Sequence, residues 1–570
     1  MYLRQTKRKN KDGSEAHYLQ LAHNVRDPDS GVVKAKILHS FGRAEHLERE
    51  ALERLIASIA RYLDQDPPLL ASSASSSSSQ LSLGSGEVEA LDARDLGGAW
   101  VLDQLWRRLG IDTAVKKVAK GRKLDASRLE RVLFALVASR ALAPSSKLEV
   151  TRWVADDVHI DRLDSLDADQ CYRAMDFLLE ALAELQETVF FTAADLLNLS
   201  VDLVFFDTTS TYFELDFADG ELEDDTGDEG QDPFRLRGHS KDSRPDLPQV
   251  VIGMAVTTGG LPVRLWVWPG NTTDTTVLAE VKADLAGWQL NRTVWIADAG
   301  FASKDNRKVL TQGGSGFIVA ERLRGSDAEV VAARSRQGRF RTVDEQLQVK
   351  DIVVGDGPAR QRFVMVRNLA AAERDAHTRN KLVEILASRI EGSDALDADA
   401  RAELRGRIRE KPGLWRYLRV TKSGLLRVDK AKVAAEAKTD GRTLLRTSDL
   451  TMDAADVARG YRALQEVERG FRDLKQLDLR PVYHRRKDRI VAHVQLCWLA
   501  LLLIRTVEIQ TGDTWRNLSH TLDTIRLVTL ATDAGTVTQR TRLGEKHLSI
   551  LQALDLPEPP RYHHFQPQNG

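Results

Sequence analysis

The sequence of 570 residues has little cysteine, no excess of either charge and no apolar run long enough to cross a membrane. Its two cysteines, Cys171 and Cys497, lie in apolar stretches, which argues against a disulfide framework and against a cysteine-based zinc site. The most apolar stretch, residues 496–504, is far shorter than the ~20 residues that a membrane-spanning helix needs. The N-terminal residues lack the apolar segment of a secretory signal. We therefore expect a cytoplasmic protein with reduced thiols and no membrane partner.

Charge is balanced overall but unevenly distributed. The chain carries 82 Lys and Arg against 83 Asp and Glu, a formal net charge of -1, which argues against a uniformly basic nucleic-acid coat. Residues 214–232 contain ten acids and no base, whereas residues 401–495 contain 24 bases and 13 acids. A basic region offset by acid elsewhere is typical of a protein with one surface for a polyanion, although ordinary solvated surfaces would give the same count.

Length and composition predict several domains, because a single core rarely exceeds roughly 250–300 residues. Turn residues, low-complexity runs and changes of periodicity divide the chain into seven segments. They are a small N-terminal β-β-α unit (1–65), a Ser- and Gly-rich linker (66–86), a helical and possibly DNA-binding domain (87–198), the first part of a catalytic domain (199–321), an inserted subdomain (322–450), the second part of the catalytic domain (451–510) and a C-terminal extension (511–570).

The fold class is predicted from the segment that begins at residue 199. A nearly continuous apolar run at 201–206 predicts a strand buried on both faces. Further runs predict the order β-β-β-α-β-α-β up to residue 320, which is the order of an RNase H-like mixed sheet. The predicted fold class is therefore α/β, with a small α+β unit and a helical domain in front of the catalytic domain.

Two acids follow strands of this predicted sheet. Asp207 ends the first strand and Asp298 ends the fourth, and these strands are neighbours in an RNase H-like sheet. Two carboxylates held close together repel each other unless a cation lies between them, and they are natural ligands for Mg²⁺ or Mn²⁺. Each aspartate taken alone would more often simply cap a turn.

A third carboxylate is expected on the helix after the insertion. At ~100° per residue one stripe of that helix contains Tyr461, Leu464, Glu468, Arg472 and Lys475. Glu466 points away from this stripe. One acid among bases and a phenol suits a metal ion next to a phosphate, whereas a plain surface pair between Glu468 and Arg472 explains the spacing equally well.

These residues resemble those of the DDE transposases of bacterial insertion sequences. Tyr461, Glu468 and Lys475 match the spacing Tyr-x2-Arg-x3-Glu-x6-Lys of that family, with Leu464 in place of the arginine. The resemblance also covers the stretches at 206–213, 238–249, 269–274, 297–301, 479–484 and 488–493. It implies that Asp207, Asp298 and Glu468 form the catalytic triad, and that the insertion is mostly β and lies beside the active site.

The resemblance also implies a reaction and its partners. Two divalent ions, Mg²⁺ or Mn²⁺, would support cleavage at the element ends and strand transfer into target DNA. The partners would be terminal inverted repeats and target DNA, with a homodimer when DNA is bound and a location at the bacterial nucleoid. The candidate DNA contacts are Tyr461, Arg472, Lys475, Lys241, Arg244 and Trp415. Trp415 would stack on a flipped base, or else pack in the core.

Two other functions remain open at this point. A different RNase H-like nuclease would cut nucleic acid without requiring specific ends and without strand transfer. A transposase-derived protein could bind inverted repeats and never cut them. The presence of all three acids argues against the second of these alternatives.

Overall fold

The computed structural model describes residues 2–9, 15–26, 33–43, 88–122, 125–197, 203–221, 232–286, 288, 293–479, 484–532 and 535–567. The predicted linker and the predicted helix of the N-terminal unit lie outside these residues. The chain forms two compact units. The smaller unit contains residues 1–92, 528–541 and 559–570, and the larger contains residues 93–527 and 542–558.

The N-terminal part of the smaller unit is an antiparallel sheet of three strands in the order β1-β2-β3. The strands are β1 (Tyr2–Lys9), β2 (Glu15–Arg26) and β3 (Val33–Arg43). The prediction contained only the second and third of them. The first was missed because Tyr2–Lys9 is rich in basic and amide side chains and lacks an apolar alternation.

The region predicted as helical begins with a strand and continues as five helices. They are β4 (Glu89–Asp95), α1 (Gly97–Arg108), α2 (Ile111–Ala119), α3 (Ala126–Leu142), α4 (Lys147–Arg152) and α5 (Ala168–Leu196). Carboxylates begin the long helices: Asp125 accepts from the first N–H groups of α3, and Asp167 forms a capping box with Gln170 at the start of α5.

The catalytic part of the larger unit has the predicted strand order. Its elements are β5 (Leu203–Tyr212), β6 (Gln249–Val256), β7 (Pro262–Pro269), α6 (Asp274–Ala286), β8 (Val294–Ala297), α7 (Lys304–Thr311) and β9 (Gly316–Glu321). The strands lie in the order β9-β8-β5-β6-β7, with β8 parallel to β5 and to β9. The neighbouring first and fourth strands of the RNase H-like prediction are confirmed.

The insertion differs from the prediction. It contains α8 (Ala328–Ser335), β10 (Arg341–Thr342), β11 (Leu347–Val354), β12 (Gln361–Asn368), α9 (Leu369–Ile390), α10 (Ala398–Arg409), α11 (Pro412–Trp415), β13 (Leu418–Val420), β14 (Leu426–Val428), α12 (Lys430–Ala437) and β15 (Arg442–Thr447). The expectation of a mostly β insertion is wrong, because more of its residues are helical than extended. Its longest helices are rich in Ala, Leu, Glu and Arg, which are strong helix formers.

Four strands of the insertion extend the catalytic sheet. Strand β15 pairs with β9, and β12, β11 and β10 follow outward, so the catalytic sheet has nine strands. Only the helices α9 to α12 and the hairpin β13–β14 stand apart, around a small apolar cluster that includes Leu386, Ile408 and Leu414.

The rest of the chain contains helices that cover the catalytic sheet. It also contains three strands of the smaller unit. These elements are α13 (Ala454–Arg462), α14 (Gln465–Leu474), α15 (Lys487–Thr511), α16 (Trp515–Leu522), β16 (Arg526–Thr532), β17 (Gly535–Arg540), α17 (Glu545–Ala553) and β18 (Tyr562–Pro567). Strands β18, β17, β16 and β4 form a four-stranded sheet.

Helix α15 is the central core element. Among the described residues it is the one helix long and apolar enough to span a membrane, yet 94% of its most apolar window is buried inside the protein. It packs against α3, α5 and β7. The helices predicted as a separate domain therefore share one hydrophobic core with the catalytic sheet, because their apolar faces are covered by α15 rather than by one another alone.

A buried cationic cluster joins these helices to the turn that follows α14. Arg140 Nη1 donates to Asp478 Oδ2 at 3.2 Å, and His493 Nε2 lies 3.2 Å from the Asp478 carbonyl oxygen. Lys147 Nζ lies 3.3 Å from His493 Nδ1. Burial lowers the pKa of Lys147 to about 8, and burial together with nearby Lys147 lowers the pKa of His484 to about 4. The cluster thus anchors the end of α14 to α3, α4 and α15.

The low pKa of His484 predicts an acid-sensitive fold. The unfolded chain protonates this imidazole near pH 6.5 and the folded chain only near pH 4, so the free energy of unfolding should fall as the pH drops through this window. The contribution is at most about 3 kcal/mol. Urea denaturation of the natural chain and of His484→Gln between pH 7.5 and 4.5 measures it. Equal pH dependence of the two chains would contradict the assignment.

Candidate active site

The register of β5 and β8 places two aspartates side by side. Phe206 pairs with Ala297 in parallel register, and β8 ends there. The next residues are Asp207, which lies within β5, and Asp298, which directly follows β8. The two acids therefore lie at the same level on neighbouring strands. The prediction that Asp207 ends its strand is wrong, because β5 stays paired with β6 as far as Tyr212. This is the juxtaposition that the sequence predicted from strand order.

Asp207 is the more enclosed of the two, with its side chain 20% exposed. Burial raises its pKa to about 6; nearby Lys241 and the N–H of Thr208 lower it, and the charges of Asp274 and Asp298 raise it. The carboxylate therefore lacks full compensation for its lost hydration, and an additional cation would stabilise its charged form.

Tyr461 lies close to the two aspartates and to the third predicted acid, Glu468. Its hydroxyl donates to Asp298 Oδ1 at 3.0 Å. Burial, and after it the charges of Asp298, Asp207 and Glu468, raise the pKa of the phenol far above its ordinary value. The phenol is therefore held as a hydrogen-bond donor, and all three acids lie within electrostatic reach of one hydroxyl group.

The predicted continuous helix is broken just before Glu468. A tight turn at Ala463 and Leu464 separates α13 from α14, and the buried Leu464 side chain packs in the core. Helix α14 crosses β5 and β6 closely, since a side chain at Gly470 would overlap Met254. Glu468 remains on the exposed side of α14.

The three acids are not gathered into one set of metal ligands. In the part of the chain that the structure describes, no group of three or more His, Cys, Asp or Glu side chains is placed to hold a metal ion. Asp207 and Asp298 are hard oxygen donors, and the raised pKa of Asp207 fits a site for a divalent cation. Glu468 would have to approach them to become a third ligand.

Three of the predicted DNA-contacting cations are engaged with acids. Lys475 Nζ donates to Asp242 Oδ1 at 2.8 Å, and Arg244 makes a bidentate pair with Asp246. Lys241 is turned toward β5, where it contacts Thr208 and lies beside Asp207. One loop, residues 239–246, thus joins the catalytic strand to the end of α14.

The other two predicted DNA contacts, Arg472 and Trp415, face solvent. The Arg472 side chain is exposed and, among the described residues, forms no ion pair within 4 Å. Trp415 is 38% exposed, with the Arg409 guanidinium 5.9 Å from its ring centre. The alternative of core packing for Trp415 is therefore wrong.

Asp274 was missed as a site residue by sequence reasoning. Its Oδ1 accepts a 2.5 Å hydrogen bond from Thr208 Oγ1, and its Oδ2 lies 3.4 Å from Lys241 Nζ. Its position was the available signal, because it is the acid in the first turn of the helix that follows β7. Its neighbours in space come from distant segments of the sequence.

The strand order and the paired carboxylates define an RNase H-like α/β domain. Residues 224–503 match the family model described as the transposase DDE domain, and residues 3–73 match that of the IS1634 family transposase N-terminal domain. The chain belongs to the DDE transposases of insertion sequences. Asp298 and Glu468 lie within the matched range, whereas Asp207 precedes it.

Comparison with solved structures finds the piggyBac transposase synaptic complex with hairpin DNA, a cryo-EM structure. It is 10% identical over 76% of this chain and 80% of that chain, with a TM-score of 0.36. This similarity is too low to support an inference. None of the curated proteins matches the chain in sequence.

The hydrogen bond from Tyr461 to Asp298 predicts a specific kinetic defect. Tyr461→Phe removes a donor to a charged group, a bond typically worth about 1.5–3 kcal/mol, so DNA cleavage should slow by about 10- to 100-fold. Affinity for DNA should change little. Tyr562→Phe, on an exposed ring of the smaller unit, is the matched control. Cleavage at the natural rate by Tyr461→Phe would contradict this role.

Proposed function

We propose that this transposase cuts DNA at the ends of its element and joins the freed ends to target DNA, with Asp207, Asp298 and Glu468 as its catalytic acids. One observation carries the proposal. The half-buried phenol of Tyr461 bonds to Asp298, and its pKa is raised by burial and by the charges of Asp298, Asp207 and Glu468. The three acids therefore lie within electrostatic reach of one point, the Tyr461 hydroxyl group.

The chemistry of the donors supports divalent ions, Mg²⁺ or Mn²⁺, at this point. Asp207 and Asp298 would hold them, with Glu468 completing the set from α14. When bound, two such ions activate the attacking oxygen and stabilise the leaving oxygen of an in-line phosphoryl transfer. The Asp207 carboxyl, whose pKa is raised by burial and by its acidic neighbours, would gain most from a cation.

The surrounding side chains would position the DNA. Tyr461 keeps Asp298 oriented by donating to it. Lys475 could exchange its bond to Asp242 for a phosphate oxygen, since both are anionic acceptors of comparable strength. Arg472 is already exposed and needs no such exchange. These roles fit the excess of bases in residues 401–495.

The proposed partners are the terminal inverted repeats of the element and a target DNA. Joining two ends in one reaction calls for a homodimer assembled on DNA, and sedimentation with and without end DNA tests that state. A binding protein without cleavage activity is the less favoured alternative, because such a protein would have no need for two acids placed side by side on β5 and after β8.

Substitution of the acids tests the proposed catalytic roles. Asp207→Asn, Asp298→Asn and Glu468→Gln should each abolish Mg²⁺-dependent cleavage of end DNA, at least 1,000-fold by rough comparison with the loss of other essential catalytic groups, while binding of the DNA persists. The measurement is single-turnover cleavage of labelled end DNA. The same assay in the presence of a metal chelator tests whether cleavage depends on the metal ion.

Glu466→Gln is the matched control for Glu468→Gln. Both glutamates lie in α14, but the Glu466 carboxylate lies against Gly260 at the turn between β6 and β7. This variant should therefore cleave at nearly the natural rate. If Glu468→Gln cleaves as well as Glu466→Gln, Glu468 is not the third acid.

Trp415 offers a test of DNA contact by the insertion. Because stacking of a base on an aromatic ring contributes about 1–3 kcal/mol, Trp415→Ala should weaken binding of end DNA by about 5- to 150-fold. Trp415→Phe keeps a ring and should retain most of the affinity. Fluorescence anisotropy at fixed salt concentration measures both affinities. Equal affinity of Trp415→Ala and the natural chain would show that Trp415 does not contact the DNA.

A further inference from the structure

The ammonium group of Lys241 is shared between two carboxylates beside the catalytic strand. Lys241 Nζ donates to the carbonyl oxygen of Thr208 at 2.7 Å and lies 2.6 Å from Thr208 Oγ1. It lies 3.5 Å from Asp207 Oδ1 and 3.4 Å from Asp274 Oδ2. Thr208 thus fixes the ammonium at a point almost equidistant from both acids, and neither acid forms a short ion pair with it.

Asp274 is held in place independently of Lys241. It lies in the first turn of α6, where the helix dipole favours a negative charge. Its other oxygen accepts from Thr208 Oγ1 at 2.5 Å. It also lies against the turn after Asp298, since a side-chain carbon at Gly300 would come within 3.1 Å of Asp274 Oδ2. Asp274 therefore lies beside Thr208, which follows Asp207 in β5, and beside the turn that follows Asp298.

A lysine this close to Asp207 would compete with a metal ion for the same oxygens. The competition is limited as long as a second carboxylate attracts the ammonium equally. Without the charge of Asp274, Asp207 would be the remaining acid in reach of Lys241 Nζ, and a short ion pair between them would block the carboxylate.

We propose that Asp274 is a positioning residue that holds Lys241 away from Asp207 and so keeps the Asp207 carboxylate available to a divalent cation. This inference rests on the proposed function of Asp207 as a metal ligand. It assigns to Asp274 a role that acts through Lys241, and it therefore predicts that the two residues are energetically coupled.

Binding of Mn²⁺ to the full chain tests this coupling directly. Free Mn²⁺ is measured by electron paramagnetic resonance at fixed pH for the natural chain, Asp274→Asn, Lys241→Gln and the double variant. Asp274→Asn keeps an acceptor for Thr208 and should weaken Mn²⁺ binding about tenfold. With Lys241→Gln already present, the same substitution should change the affinity by less than about twofold, because no ammonium remains to compete.

Several outcomes would overturn the proposal. An equal loss of affinity from Asp274→Asn with and without Lys241→Gln would mean that Asp274 acts by its own charge or by supporting the fold. No loss in the single variant would mean that it has no role toward the ion. Asp274→Glu, which keeps the charge, should bind Mn²⁺ nearly as well as the natural chain, and it keeps the test decisive if Asp274→Asn folds poorly.

Two controls separate this proposal from the one on which it rests. Asp305→Asn removes an acid from the first turn of the neighbouring helix α7, where the side chain is 92% exposed, and should leave Mn²⁺ binding unchanged. Asp207→Asn should weaken Mn²⁺ binding in every background. If Asp207→Asn binds Mn²⁺ and cleaves DNA normally, the proposed function itself fails, whatever Asp274→Asn does.

Discussion

The parallel pairing of β5 with β8 is the constraint on which the rest of the site depends. Strand β8 ends opposite Phe206, so Asp298, the first residue after β8, lies level with Asp207, which is within β5. The backbone ladder thus enforces a proximity that the two negative charges would otherwise resist. Burial is the main cause of the raised pKa of Asp207, and the nearby charges of Asp274 and Asp298 raise it further.

The surrounding contacts limit this repulsion without removing it. Tyr461 donates to Asp298, and Lys241 lies between Asp207 and Asp274. Neither contact gives Asp207 a short ion pair, so its charge stays incompletely compensated. This incomplete compensation leaves the Asp207 carboxylate able to bind the divalent cation of the proposed mechanism.

Much of the fold could be predicted because it depends on local patterns. Apolar runs and turn residues were sufficient for the strand order of the catalytic domain, and the ends of two strands pointed to Asp207 and Asp298. Where a long-range contact overrides the local pattern, prediction was wrong. A turn at Ala463 and Leu464 divides the helix that was predicted as continuous, and β10, β11, β12 and β15 of the insertion extend the catalytic sheet.

By itself the sequence determined the transposase family, the RNase H-like order of strands and three candidate acids, since these follow from residue types and their spacing along the chain. Only the tertiary structure decided which acid each lysine side chain lies beside. Lys475 pairs with Asp242, and Lys241 lies beside Asp207 and Asp274, across separations of 33 to 233 residues. Such contacts arise from the packing of loops at one edge of a sheet, which no local periodicity encodes.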